Sequence, residues 1–193
     1  HLDKNENLRG LKHLDVIYQA ILKEICLNIE YQSFRSYNKS EIVIHPYILK
    51  EYNNRWFVVG NREGTVEVLT LALDRIEKLS YSLNTTYDDN DFDADDYYKN
   101  TVGVTVLNDD NMYEVRLKIN RHNSPYVLTK PFHSSQKVID RLEDGSTIIS
   151  LNVHLNYEFE RLILGFGEGI QVLQPRTLRR RIKKKLKVAL EQY

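Results

Sequence analysis

His45-Pro46-Tyr47-Ile48-Leu49-Lys50-Glu51-Tyr52-Asn53-Asn54-Arg55-Trp56-Phe57-Val58-Val59-Gly60 reads as two β-rich runs around a turn. The first run starts at Glu41 and reaches Leu49. It contains Pro46, which has no N–H to give a ladder and so marks an edge strand or a bulge. Asn53-Asn54 is a turn signal, and Trp56-Phe57-Val58-Val59 is the returning strand. Working backwards, Leu27, Ile29, Tyr31 and Ser33 alternate with Asn28, Glu30 and Gln32, the period of a strand. Working forwards, Asn61-Arg62-Glu63-Gly64 is a second turn, Val66 to Leu73 another strand, and Lys78 to Leu83 a last one. Five short strands within about sixty residues predict a small closed barrel, and closure would remove the exposed edges such strands otherwise leave. Upstream, Gly10 precedes Leu11, Leu14, Ile17, Ile21, Leu22 and Ile25, whose spacing predicts one apolar stripe on a helix of about fifteen residues.

The chain has 193 residues, 41% of them hydrophobic and 28% charged, enough for one large or two small domains with a real core. Its 27 bases balance its 27 acids, so bulk charge announces no nucleic-acid partner. The balance hides a segregation. Residues 88–96 hold six acids and no base, and residues 175–187 hold eight bases and no acid. The acidic run reads as a solvated boundary between modules. One cysteine, Cys26, excludes an intrachain disulfide framework and a cysteine-rich zinc module. Thirteen tyrosines against one tryptophan favour surfaces and pockets of mixed polarity. No apolar run approaches the roughly 18 residues that span a bilayer, and no leader pattern opens the chain, so the expected compartment is the cytoplasm. The start at His1 without Met is read as that of a fragment.

Beyond the acidic run, Tyr113, Val115, Leu117 and Ile119 alternate with charged residues as in a half-buried strand. Residues 136–142 and 146–155 predict a hairpin around Glu143-Asp144-Gly145, with Thr147, Ile149, Leu151, Val153 and Leu155 on one face. Asn156 is placed to cap a helix carrying Phe159, Leu162 and Ile163, which Gly165 ends. Ile170 to Leu173 reads as a strand, and Pro175 suits the first turn of a final helix in which Leu178, Ile182, Leu186 and Leu190 recur. With a short helix between Asn120 and Thr129, the order β-α-β-β-α-β-α fits a ferredoxin-like sandwich with one added helix.

Signals for catalysis are weak. Ser33, His45 and an aspartate make a nominal triad without a nucleophile elbow. Cys26 reads more readily as a packed core thiol than as a nucleophile. Gly165 to Gly169 follows a helix and precedes a strand, the reverse of a dinucleotide fingerprint, and lacks a P-loop Lys. The six histidines show no ligand spacing, and the aspartates of 88–96 lack the glycine and terminal Glu of an EF-hand. No cofactor or metal is therefore expected. The informative set is Ser33, Arg35, His45, Tyr47, Tyr52, Trp56, Phe57, Arg62 and Arg75, which brings rings and guanidinium groups into one small barrel. Rings stack on bases and Arg forks take phosphate, so the set suits a nucleotide or short oligonucleotide; a core Trp among exposed arginines is the alternative. The basic final helix likewise reads as a phosphate-contacting surface or as a solvated face.

His45 to Gly60, with Leu73-Asp74-Arg75-Ile76 and the earlier Ile29-Glu30-Tyr31-Gln32-Ser33-Phe34, resembles the WYL domain, Trp56-Phe57-Val58 standing for its eponymous triplet. Phe92 with Tyr97-Tyr98 and Gly103, Pro131 to Gln136, Ile163 to Gly167 and Val172-Leu173-Gln174-Pro175 resemble the WCX extension that follows it. The resemblance implies an α+β chain: a linker helix at 1–25, an Sm-like, SH3-type WYL barrel at 26–83, an acidic linker at 84–111, and a ferredoxin-like WCX domain at 112–193. It also implies the effector-sensing region of a bacterial transcriptional regulator, non-enzymatic and homodimeric. Its helix-turn-helix for DNA would be missing here, and a single-stranded nucleic acid or nucleotide would be the effector. The ligand-binding residues carried over are Ser33, Arg35, His45, Tyr52, Phe57 and Arg62, with Trp56 as barrel anchor and Arg75 in the Asp-Arg-Ile ending. Leu69 stands where the family often has Arg, and Phe57 and Val58 relax the triplet, which removes one cation and one hydroxyl. A structural dimerisation or linker module is the alternative function.

Overall fold

Asn53 and Asn54 both adopt the left-handed backbone, with φ of 51° and 61°, the twist that a two-residue hairpin turn needs. They join β2 (Ser40–Tyr52) to β3 (Arg55–Arg62), closed by the pair Tyr52 and Arg55. This hairpin is the centre of the first of two compact units, His1–Ala94 and Asp95–Tyr193, in the computed structural model, which describes residues 10–34, 36–107 and 111–193. β1 (Cys26–Tyr31) lies on the other side of β2, β4 (Val68–Ala72) beside β3, and β5 (Ile76–Ser82) beside β1. The order is β4-β3-β2-β1-β5, antiparallel throughout.

The expected closed barrel does not form: β4 and β5 remain the two edges, and no ladder joins them. They are consecutive in the chain, linked by the single 3-10 turn Leu73–Arg75. The sheet curls enough for the Ala72 N–H to reach the Tyr31 hydroxyl at 3.3 Å. A side-chain bridge thus stands where a closing ladder would run. Pro46 sits in an interior strand, and the register shift between Pro46 and Ile48 shows that a bulge accommodates it. Gly60 lies opposite. A Cβ there would come 2.1 Å from the His45 carbonyl oxygen, so only glycine lets β3 approach the bulge.

The fifteen-residue helix is shorter than its periodicity suggests. Leu11–His13 form a 3-10 turn, and α1 (Leu14–Leu22) follows. Glu24 turns left-handed (φ 53°), and Ile25 N–H donates to Ala20 O at 2.9 Å, which stops the helix so that β1 can start. Ile17 and Ala20, with Leu14 and Ile21, pack against Leu27, Ile29, Tyr31, Ile42, Ile44, Val58, Leu71 and Leu73. α1 therefore covers one face of the sheet, the inner face below.

The second unit begins in α2 (Ala94–Tyr98) and carries β6 (Tyr113–Ile119), α3 (Ser124–Thr129), β7 (Lys137–Arg141), β8 (Thr147–Val153), α4 (Tyr157–Leu164), β9 (Ile170–Gln174) and α5 (Arg176–Leu190). The strand order is β7-β8-β6-β9, antiparallel. The same-face residues Ile149, Leu151, Val153 and Leu155 join Val115, Leu117, Ile119, Phe159, Ile163, Leu178 and Ile182 in one core. The Asn156 side chain accepts from Phe159 N–H and so caps α4. Pro175 stands one position outside α5, at its N-cap. The whole is mixed α and β. Among the described residues no helix is long and apolar enough to cross a membrane, and no group of three acids, histidines or cysteines has metal-site spacing.

The acidic stretch divides between the units: the six aspartates of 88–96 are exposed, while other side chains of the stretch dock. Residues 84–94 fold back on the first, where Phe92 stacks on Tyr47 with ring centroids 4.8 Å apart. Residues 95–107 join the second: Val102 and Val104 are buried, and Asn156 Nδ2 donates to the carbonyls of Val102 and Thr105 at 2.8 and 2.9 Å. The aromatic and valine side chains set between the aspartates explain the docking, because their burial outweighs the local charge repulsion. Residues 108–110, part of the same stretch, lie outside the described residues.

Candidate functional site

The turn between β4 and β5 ties together β1, β3 and the start of α1. Leu73 is in the core. The Asp74 carboxylate meets Arg55, the first residue of β3, at 3.2 Å. The Arg75 guanidinium lies over the Phe34 ring, 4.3 Å from its centroid, within reach of a cation–π attraction. Its backbone carbonyl accepts from Gln32 N–H at 3.0 Å. Phe34 is 73% exposed. Arg75 Nε and Asp74 Oδ1 are buried without a hydrogen-bond partner among the described residues. An exposed ring beside a guanidinium is a pair of groups that can stack a base and take a phosphate oxygen.

The same turn holds the start of α1. Gly10 has φ 94°, and a Cβ on it would lie 2.4 Å from the Leu73 carbonyl carbon and 2.5 Å from Asp74 N. His13 Nε2 donates to the Ile76 carbonyl at 3.2 Å. Burial pushes the His13 pKa down, which favours the neutral ring in this contact. The exposed Phe34 side of the turn and its helix-docking side are thus one tripeptide apart.

A second cluster lies on the outer face of the sheet. His45 is 5% exposed. Its Nδ1 accepts from Asp88 N–H at 3.0 Å and lies 3.4 Å from Cys26 Sγ; its Nε2 meets Glu63 at 2.5 Å. Since a backbone N–H can only donate, Nδ1 is the acceptor and the ring proton sits on Nε2, facing Glu63. Tyr87 donates to the Pro46 carbonyl at 2.9 Å, and Asn90 Nδ2 to the Tyr47 hydroxyl at 2.9 Å. Burial pushes Tyr87 up to about 12 and raises Tyr47 as well, so both are phenols. Burial, and then the Glu63 charge, raise the Cys26 thiol, which is the opposite of nucleophile activation. His45 thereby clasps residues 84–94, and both its nitrogens are engaged.

The structure distributes the sequence-predicted residues over three places. Arg75 lies over Phe34, the chain neighbour of Ser33, and Arg35 lies outside the described residues. His45, Tyr52 and Phe57 share the outer face by register, because His45 pairs with Asn61, Lys50 with Phe57 and Tyr52 with Arg55. Phe57 is about 13 Å along β3 from the His45 pair, at 3.3 Å per residue. Trp56 packs into the inner core, and Arg62, opposite Ile44, is on that face too. Phe34, Gly10, His13, Glu63 and Tyr87 are not among the site residues expected from the sequence. Phe34 beside Ser33, and Tyr87 at the edge of the acidic run, were the available signals.

A family model of the WYL domain matches residues 12–80, and one of the WCX domain matches residues 111–190. No curated protein matches the sequence. Among solved structures, Proteasome accessory factor B/C (PafBC) of Arthrobacter aurescens is 18% identical, with 95% of this chain and 27% of that one covered and a TM-score of 0.38. A CRISPR Cas-related protein is 12% identical, with 93% and 50% covered and a TM-score of 0.52. The chain thus spans about a quarter and half of the lengths of these two structures.

Proposed function

From a chain that carries a WYL domain followed by a WCX domain, we propose the ligand-sensing regulatory region of a bacterial transcriptional regulator, cytoplasmic and non-enzymatic, that acts on DNA through a separate helix-turn-helix. The curled first sheet is read as an opened Sm-like, SH3-type barrel, and the second unit, by its strand order, as a ferredoxin-like sandwich. The observation that carries the reading is the exposed Phe34 with Arg75 above it, on the turn that seats Gly10 and His13. A nucleotide or short single strand stacks on Phe34 and places a phosphate on Arg75. The 3-10 turn then moves, and Gly10, in backbone contact with it, moves too. The ligand regulates because it binds one seating of α1 more tightly than the other.

Trp56, the only tryptophan, packs in the core that α1 covers and so reports on that seating. Titration with single strands of about 4–16 nucleotides is expected to give a saturable fluorescence change, weaker at high salt. Arg75→Gln with Phe34→Ser abolishes it. No saturable, salt-sensitive change would refute a nucleic-acid effector.

A second reading, homodimerisation through α1, has its own support. Leu11, Tyr18 and Leu22 are 46%, 48% and 60% exposed and recur at helical spacing. Ile17, by contrast, is fully buried within its own unit, so the assembly test belongs at Tyr18 and Leu22. Tyr18→Glu with Leu22→Glu yields a smaller species by light scattering if α1 dimerises the chain.

A further inference from the structure

α5 is held to its unit by one side and offers bases on the other. Leu178 and Ile182 are buried. Glu160 on α4, its side chain only 8% exposed, meets Arg181 at 3.2 Å and Lys185 at 2.6 Å, which uses the two bases on the α4 side. At 100° per residue, Arg176, Arg180, Lys183 and Lys187 fall on one line, opposite the buried pair, and Arg179 and Lys184 flank it. The line is about 16 Å long at 1.5 Å per residue. Among the described residues no acid lies within ion-pair distance of Arg176, Arg179, Arg180, Lys183 or Lys184, and Lys187 has only a 4.0 Å contact with exposed Glu191.

We propose that this outward line on α5 binds the phosphate backbone of a nucleic acid without reading its sequence. A row of cations at three- and four-residue spacing suits a continuous anionic strand, and each phosphate it neutralises releases counterions. A bilayer surface fits less well, because membrane-bound helices bury a continuous apolar face, and here Leu178 and Ile182 are spent on the core while the exposed Leu186, Val188 and Leu190 are confined to the last turns of α5. Zero net charge leaves no long-range pull, so contact is local. The surface belongs to the second unit and the Phe34–Arg75 site to the first, and the proposal does not depend on that site.

The test is anisotropy of labelled duplex and single-stranded DNA of arbitrary sequence with the full 193-residue chain. Three to four phosphate contacts predict a duplex affinity that falls roughly 40- to 150-fold between about 50 and about 200 mM salt. Arg180→Gln with Lys183→Gln lowers the salt slope by about two. Lys137→Gln with Arg141→Gln, on the exposed strand β7, leaves it unchanged. Arg75→Gln also leaves the duplex slope unchanged, which keeps a failure here distinct from a failure of the sensing site. Absence of binding, equal loss in the β7 control, or preference for anionic phosphatidylserine vesicles over DNA would each overturn the proposal.

Discussion

His45→Phe keeps an aromatic ring at the outer face and removes both ring nitrogens. Asp88 N–H loses its acceptor at 3.0 Å, and Cys26 Sγ loses its 3.4 Å contact. Glu63 is half exposed and regains water, so its loss costs little. A neutral hydrogen bond contributes about 0.5–1.5 kcal/mol, and a donor left unpaired in a partly buried place costs about 1–3 kcal/mol. Segment 84–94 should therefore open about 1–2 kcal/mol more easily, which is roughly 5- to 30-fold in its opening equilibrium. Hydrogen–deuterium exchange reads this directly. The Asp88 amide speeds up by that factor, while the Gln32 amide, which donates to Arg75 O at 3.0 Å, is the internal reference. Alkylation of Cys26, fully buried in the native chain, accelerates in parallel. Unchanged Asp88 exchange, or equal acceleration at Gln32, would refute the idea that His45 is the clasp.

Gly60→Ala places a methyl 2.1 Å from the His45 carbonyl oxygen. It should cost at least the roughly 1–3 kcal/mol of an overpacked site and lower the thermal midpoint, with tyrosine signals of 84–94 perturbed first. His13 has a native pKa below its ordinary 6.5, so protons bind the undocked state more readily. Seating of α1 is then full above that value and weakens as pH falls through and below it. Trp56 fluorescence between pH 7.5 and 5.5, measured against His13→Gln, should show a pH-dependent change that the variant lacks; identical profiles would sink the assignment. Glu160→Gln removes the charge that neutralises Arg181 and Lys185. Leaving two cations against a buried neutral group should destabilise α5 by a few kcal/mol at most, visible as faster amide exchange in 176–190.

Strand positions were legible because period two and turn chemistry are local. Asn53-Asn54 and the alternation in Tyr113–Ile119 needed no partner to be read. Pro46 was correctly limited to an edge or a bulge, and only the strand order decides between them. Barrel closure was not legible: it depends on whether Ala72 meets a strand or the Tyr31 hydroxyl, a contact 41 residues away in sequence. The scatter of the site residues was partly readable. Trp56 and Phe57 are neighbours in a strand and must point to opposite faces, so no single pocket lined from β3 takes both. Arg62, six residues after Trp56, follows it to the inner face. Segment 84–94 was masked by its aspartates, whose charge outvoted Tyr87 and Phe92 in a composition reading.

The two faces of the first sheet serve the two chain segments that leave it. The inner face seats α1 through Gly10, His13 and the Leu73–Arg75 turn. The outer face clasps 84–94 through His45, Pro46 and Tyr47, all at the β2 bulge. β2 and β3 belong to both, so a ligand that shifts the sheet has two outlets. A ligand confined to Phe34 and Arg75 has one, because the contacts of Arg75 among the described residues are with Phe34 and Gln32, just past the end of β1. Under the proposed function, an oligonucleotide effector changes amide exchange at the start of α1 and leaves Asp88 unchanged. If Asp88 responds instead, the signal travels through the bulge, and the sensing site must be moved from Arg75 to the His45 face.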